Sequence, residues 1–244
     1  MSGVVSPAAV AGADPWGWFD SGIGEPAFNM ALDEALLESA AMAGRPVLRF
    51  YGWTVPAATF GYFQRHSEIE PLTALRPLVR RPTGGGLVPH DEDWTYSLVF
   101  PAGHPWHALR ARESYRAVHE WLRLAFLRLG ETAVLAPAAR RDLPGQCFVG
   151  WEESDLLWHG RKIAGAAQRR TRDGLLIQGS VQPPRADLSR AAWQQAMIEV
   201  NAPGLASAWE PWLRAGAVSA RARELADQKY LRPEFNERKG RSGR

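Results

Sequence analysis

The chain has 244 residues, 45% hydrophobic and 23% charged, which suits a globular protein of one large domain or two small ones with a substantial core. A net charge of +3 is too small to argue for nucleic acid, and no apolar run approaches the roughly 18 residues a membrane-crossing helix requires. The sole cysteine excludes an intrachain disulfide framework, no Cys/His spacing resembles a zinc site, and no metal is expected.

Residues 1–14 are small and apolar without a basic start, and read as a flexible leader, not a signal peptide; a cytoplasmic protein with no membrane partner is expected. Pro26 to Leu37 reads as a helix, with Pro26 in its first turn and Phe28, Ala31, Ala35 and Leu36 able to share a face. Gly44 and Pro46 end it. Strands are expected over 47–51, 57–62, 78–81 and 94–100. Ser114 to Leu129 gives the clearest helical spacing, through Tyr115, Val118, Leu122, Ala125 and Phe126, with Gly130 as the stop. Further strands follow over 132–135, 155–158, 162–167 and 175–181, then helices over 190–200 and 218–229. Without a regular βαβ rhythm, this mixture predicts an α+β fold with a mixed, largely antiparallel sheet flanked by helices. Residues 15–231 read as one domain. The segment from Arg232 to Arg244 holds five basic and two acidic residues and is expected to be a disordered tail. Of the eleven tryptophans, some are expected to line pockets and most to lie in the core or at half-buried surface.

Two segments carry chemistry. The first is Arg80-Arg81-Pro82-Thr83-Gly84-Gly85-Gly86, followed by His90-Asp91. Glycines let backbone N–H groups approach a ligand closely, and two arginines add cationic donors; an ordinary tight turn has the same composition. Neighbouring strand residues point to opposite faces, so His90 and Asp91 are not read as an acid/base pair, and His90 is read as structural or substrate-positioning. The second is Cys147, fifteen residues before Lys162 in Gly160-Arg161-Lys162-Ile163-Ala164-Gly165-Ala166-Ala167-Gln168. A lone cysteine is more often a small buried hydrophobe; upstream of such a lysine it can also support acyl transfer through a thioester.

Together these segments resemble the biotin/lipoate protein ligase and octanoyltransferase superfamily. The 80–91 segment is similar to its R-R-x-x-G-G…H-D motif and the 160–168 segment to its G-[RK]-K-[IV]-[AS]-G-[ST]-A motif. With Asp20-Ser21-Gly22, Pro26 to Leu37, Arg49 to Trp53, Gly61 to Gln64 and Cys147-Phe148, the chain resembles most the LipM-type octanoyltransferases, over roughly residues 16–231. The resemblance implies a class II synthetase-like catalytic fold and no cofactor. It implies transfer of octanoyl from octanoyl-acyl carrier protein to a lysine of a lipoyl-domain protein or the glycine cleavage H protein, in lipoate biosynthesis. It makes Cys147 the nucleophile and Lys162 the lysine that meets the acyl group, with Arg80, Arg81, Gly84, Gly85, Gly86, His90, Gly165 and Ala166 at the substrate. Phe60, Tyr62 and Trp94 are expected as pocket walls.

Two positions depart from the LipM pattern: Gly86 stands where Arg is usual, and Gln178 where His is usual. Gln178 can donate a hydrogen bond but cannot titrate. The alternatives are an ATP- and magnesium-dependent lipoate–protein ligase, for which Cys147 would be incidental, and a non-catalytic protein that binds acyl carriers or lipoyl domains.

Overall fold

Residues Trp94–Pro101 form a strand buried along its whole length, and its alternate side chains enter two different cores. Trp94, Tyr96, Leu98 and Phe100 belong to one apolar cluster and Val99 to the other. A strand buried on both faces requires covering layers on both sides, and the chain supplies them. The computed structural model describes residues 15–141, 150–200, 204, 206–213 and 215–237. The expected leader, Cys147 and the tail from 238 onward lie outside these residues.

In chain order the strands are β1 (Trp16–Gly24), β2 (Val47–Trp53), β3 (Ala57–Phe60), β4 (Leu78–Arg80), β5 (Val88–His90), β6 (Trp94–Pro101), β7 (Val134–Leu135), β8 (Arg140–Arg141), β9 (Gly150–Trp151), β10 (Leu156–Trp158), β11 (Arg161–Arg170), β12 (Gly174–Val181) and β13 (Trp209–Pro211). The helices are α1 (Pro26–Glu38), α2 (Ala40–Ala43), α3 (His66–Ile69), α4 (Pro105–Ala108), α5 (Ala111–Arg128), α6 (Arg190–Glu199), α7 (Ala215–Leu225) and α8 (Pro233–Asn236). The main sheet runs β13-β1-β2-β6-β12-β11-β10-β7. Only β13–β1 and β1–β2 pair in parallel, and the other five pairings are antiparallel. A smaller sheet, β4-β3-β5, carries the strands on either side of the glycine-rich loop. This is the α+β arrangement expected.

One core packs Trp121, Leu122 and Phe126 of α5 and Trp193 and Met197 of α6 against β6 and β12. The other packs Met30, Leu36 and Leu37 of α1 with Val218 and Leu225 of α7 against the opposite face. The tryptophans gather mostly in the first core. Trp16 makes edge contacts with Trp106, Trp121 and Trp209 at ring separations of 6.1, 6.1 and 5.6 Å. Helix α5 starts earlier than expected because Glu113 reaches back to the Arg110 N–H at 2.8 Å, capping the first turn. It ends where predicted, at Gly130, whose φ of 83° suits a left-handed stop.

Several boundaries differ from the sequence reading. The strand expected over 132–135 is reduced to Val134–Leu135. The helix expected over 218–229 is α7 followed by a π-turn over Ala226–Tyr230. That turn is anchored by Glu34, which accepts from Lys229 at 2.6 and 2.7 Å and from the Tyr230 hydroxyl at 2.7 Å. The tail does not begin at Arg232. Helix α8 follows, and Arg80 donates to the Phe235 and Asn236 carbonyls at 3.0 and 2.8 Å, so buried charge holds this segment where composition alone predicted disorder.

Candidate active site

The glycine-rich loop is held from three directions. Arg81 donates to the Gly84 carbonyl at 3.0 and 2.6 Å. The Tyr62 N–H donates to the Thr83 carbonyl at 2.8 Å. The Thr83 hydroxyl donates to the Gln178 side-chain Oε1 at 2.7 Å. Gly61 lies so near the loop that a Cβ there would sit 1.9 Å from the Gly85 carbonyl oxygen, and Gly85 has a φ of 85°. Both positions therefore need glycine.

This loop borders a cavity of about 1000 Å³. Gly85, Gly86, Arg81 and His90 line one side; Lys162, Gly165 and Ala166 of β11 line another. Arg80 is not among the lining residues. Its guanidinium is fully buried and donates to the Tyr62 and Gln64 carbonyls at 2.8 and 2.6 Å as well as to α8. Gly84 also lies outside the lining, its carbonyl turned to Arg81. The expected wall residues Phe60, Tyr62 and Trp94 do not line it either. Phe60 lies beneath Arg80, 4.7 Å from the guanidinium carbon, and Trp94 packs on Trp193. Met30, Val88, Ala167 and Trp151 contribute apolar lining instead.

Lys162 is nearly buried and pairs with Asp155 at 2.7 Å. Asp155 is fully buried and also accepts from the Tyr115 hydroxyl and, at 2.7 Å, from the Glu152 N–H. The pair forms because β10 and β11 are joined by a two-residue turn, His159-Gly160, with φ of 46° and 75°. Such a turn matches the twist of a hairpin. A register irregularity between Leu156 and Leu157 then brings Asp155 alongside β11. Gly165 completes the fit, since a Cβ there would lie 2.9 Å from the Lys162 Nζ and 3.3 Å from an Asp155 oxygen. Behind Tyr115, His119 donates from Nδ1 to the Tyr115 carbonyl at 2.9 Å. Its burial pushes the ring's pKa down to about 4, against the pull of Asp155.

His90 pairs with Asp93, not with its neighbour Asp91. Its Nδ1 lies 2.8 Å from the Asp93 carboxylate, its Nε2 lies 2.8 Å from the Thr59 hydroxyl, and its ring stacks on Trp53 at 3.9 Å. Asp93 also accepts from Ser180 at 2.6 Å and Thr95 at 3.1 Å. Gln178 donates to the buried Asp33 at 2.7 Å, beside the Arg49–Asp33 ion pair of the same length. Ser97 and Tyr51 donate to Asp33 at 2.6 and 3.0 Å.

Sequence reasoning missed Asp155, Tyr115, Asp93 and Asp33. The His159-Gly160 turn was the signal for Asp155, because it predicts a hairpin that folds residues before 159 onto Lys162. Cys147 lies outside the described residues; Gly150, three residues later, lines the cavity. Among the described residues no group of three or more His, Cys, Asp or Glu is placed to hold a metal ion.

The profile of the lipoyl protein ligase A/B catalytic domain matches residues 25–190. The chain belongs to this family. It is 39% identical over 180 residues to octanoyltransferase LipM of Geobacillus kaustophilus, an alignment covering 68% of this chain and 64% of that protein. Against octanoyltransferase LipM of Bacillus subtilis it is 36% identical over 181 residues, covering 69% and 65%. The chain thus spans just under two thirds of the length of these relatives. Among solved structures it resembles lipoate-protein ligase A bound with ATP, with a TM-score of 0.74 and 21% identity over 93% of this chain and 99% of that one. It also resembles the bipartite lipoate protein ligase of Thermoplasma acidophilum, with a TM-score of 0.66 and 21% identity over 95% and 98%. These structural likenesses establish the fold. No helix among the described residues is long and apolar enough to cross a membrane.

Proposed function

We propose that the chain transfers an octanoyl group from octanoyl-acyl carrier protein to a lysine of a lipoyl-accepting protein, such as a lipoyl domain or the glycine cleavage H protein, through a thioester on Cys147. The observation that carries this reading is the 39% identity to a curated octanoyltransferase. The Lys162–Asp155 pair at the wall of the cavity supports it.

An unperturbed thiol with a pKa of about 8.5 is only a few per cent thiolate at neutral pH. In this reading the Lys162 ammonium favours the Cys147 thiolate. The thiolate adds to the donor's thioester carbonyl, the ammonium faces the oxyanion that develops, and the carrier's thiol leaves with a proton. The acceptor's neutral amine then attacks the octanoyl-Cys147 thioester, giving an amide and the free thiol. Thioester exchange is nearly thermoneutral and amide formation runs downhill, so the sequence of steps needs neither ATP nor a metal. Burying the acyl chain contributes roughly 5 kcal/mol at about 0.8 kcal/mol per methylene. Arg81, Gly85, Gly86, His90, Gly165 and Ala166 are the substrate-side residues of this reading, and Arg80 and Gly84, which do not line the cavity, take a supporting part in it.

Incubation with octanoyl-acyl carrier protein, without ATP, is expected to give a hydroxylamine-sensitive octanoyl adduct on Cys147, and Cys147→Ala is expected to abolish both adduct and transfer. Acylation of an acceptor by the alanine variant, only with ATP and free acid, would replace this reading with a ligase.

A further inference from the structure

Lys162 belongs to a buried polar row that the proposed chemistry leaves unexplained. The row runs from the ammonium through Asp155 to the Tyr115 hydroxyl on α5. Both Asp155 oxygens are engaged: one by Tyr115, the other by Lys162 and by the Glu152 N–H. The Asp155 main chain is fixed as well. Its carbonyl accepts from the Ala136 N–H at 2.8 Å and its own N–H donates to the Glu152 carbonyl at 3.1 Å. Ser154, which precedes it, has a φ of 71°, a conformation that costs a non-glycine residue free energy and persists where its surroundings enforce it. Gly165 leaves the pocket into which the ammonium fits. A flexible four-carbon side chain is thereby held at one place on the cavity wall, where a lysine facing water would sample many.

We propose that Asp155 and Tyr115 are positioning residues for Lys162: the Tyr115 hydroxyl and the Glu152 amide orient the Asp155 carboxylate, and the carboxylate fixes the ammonium where the acyl carbonyl develops negative charge. The assignment rests on the octanoyl-transfer reading above. Fixed dipoles and charges stabilise a transition state because they need no rearrangement when charge appears, and misplacing such a group by about 1 Å can cost on the order of a hundredfold in rate. Asp155 does not line the cavity; Tyr115 does, and its part in this account is to hold the carboxylate through its hydroxyl.

The test is single-turnover acylation of Cys147 by octanoyl-acyl carrier protein, followed by transfer to a lipoyl-accepting protein, in wild type, Asp155→Asn and Tyr115→Phe. For Asp155→Asn both rate constants are expected to fall about a hundredfold. For Tyr115→Phe, which removes one hydroxyl and keeps the ring, the fall is about tenfold. The donor KM stays within about twofold and the adduct amplitude stays complete. A role confined to folding would reduce the amplitude and leave the rate constants at wild-type values, and that outcome overturns the proposal. So do unchanged rate constants in Tyr115→Phe, whatever the fate of Asp155→Asn. Failure of the wild type to form any adduct is a separate result, which removes the octanoyl-transfer reading itself and this assignment with it.

Discussion

Replacing Lys162 by alanine should destabilise the protein as well as silence it, because of what it leaves behind. Asp155 is completely buried and the Lys162 side chain is only 7% exposed, so truncation strands a carboxylate away from water. Removing one partner of a buried ion pair typically costs about 3–5 kcal/mol. Asp155 would retain the Tyr115 hydroxyl and the Glu152 N–H, two hydrogen bonds that offset part of the lost contact, so the lower end applies: about 3 kcal/mol. For a protein of this size each kcal/mol shifts Tm by roughly 2–4 °C, giving a decrease of about 6–12 °C. Adding Asp155→Asn removes the stranded charge, and the double variant Lys162→Ala/Asp155→Asn should recover most of the loss. Thermal and urea unfolding, followed by tryptophan fluorescence, would measure all the corners of the cycle. A Lys162→Ala variant within about 1 kcal/mol of wild type, with no recovery on adding Asp155→Asn, would show that the two groups are not buried together and would refute the reasoning.

Gln178→Glu should be strongly destabilising, because the amide that donates to Asp33 at 2.7 Å would become a carboxylate facing a buried carboxylate. A loss of about 3 kcal/mol or more is expected in urea unfolding at neutral pH, shrinking under acidic conditions as the new group takes a proton. A second test uses pH. Burial holds His119 down to about 4 from an ordinary 6.5, so the unfolded chain binds a proton in that interval and the folded one does not. His119 therefore contributes stability fully above about 6.5, which is lost progressively as pH falls toward about 4, amounting to about 3 kcal/mol. His104, also lowered to about 4 by burial, acts in the same window to a smaller degree because it is partly solvated. In a variant with His119 replaced by Phe, unfolding midpoints between pH 7 and 4.5 should fall less steeply than in wild type; an identical slope would remove His119 from the account.

The long periodic elements were legible because one signal sufficed. The apolar spacing of α5 and the turns bounding β2, β6 and β12 reflect local rules that a sequence displays directly. β1 was not read as a strand: Gly17, Gly22 and Gly24 interrupt its pattern, and its pairing with β2 and β13 is made from distant parts of the chain. The site was half visible. Lys162, the glycine loop and His90 stand in dense motifs, whereas Asp33, Asp93, Tyr115 and Asp155 are single polar residues whose importance depends on burial. Asp91 was set aside as a partner of His90 because strand neighbours face opposite ways; the turn leaving β5 brings Asp93, three residues on, to the ring, and Asp91 is exposed. The assumed apolar pocket walls failed for a related reason: Phe60 and Trp94 are buried in the cores, Tyr62 is half-buried outside the lining, and Met30, Val88, Ala167 and Trp151 line the cavity instead.

The Arg80 guanidinium joins regions more than 150 residues apart, accepting company from the carbonyls of Tyr62 and Gln64 on one side and of Phe235 and Asn236 on the other. Removing α8 would leave that cation with only half of its carbonyl cage, one residue from Arg81 and the start of the glycine loop. The short helix after Arg232 therefore works as a distant clasp on the ligand-facing turn, and any fused tag should follow Glu237 at a distance that leaves this clasp closed.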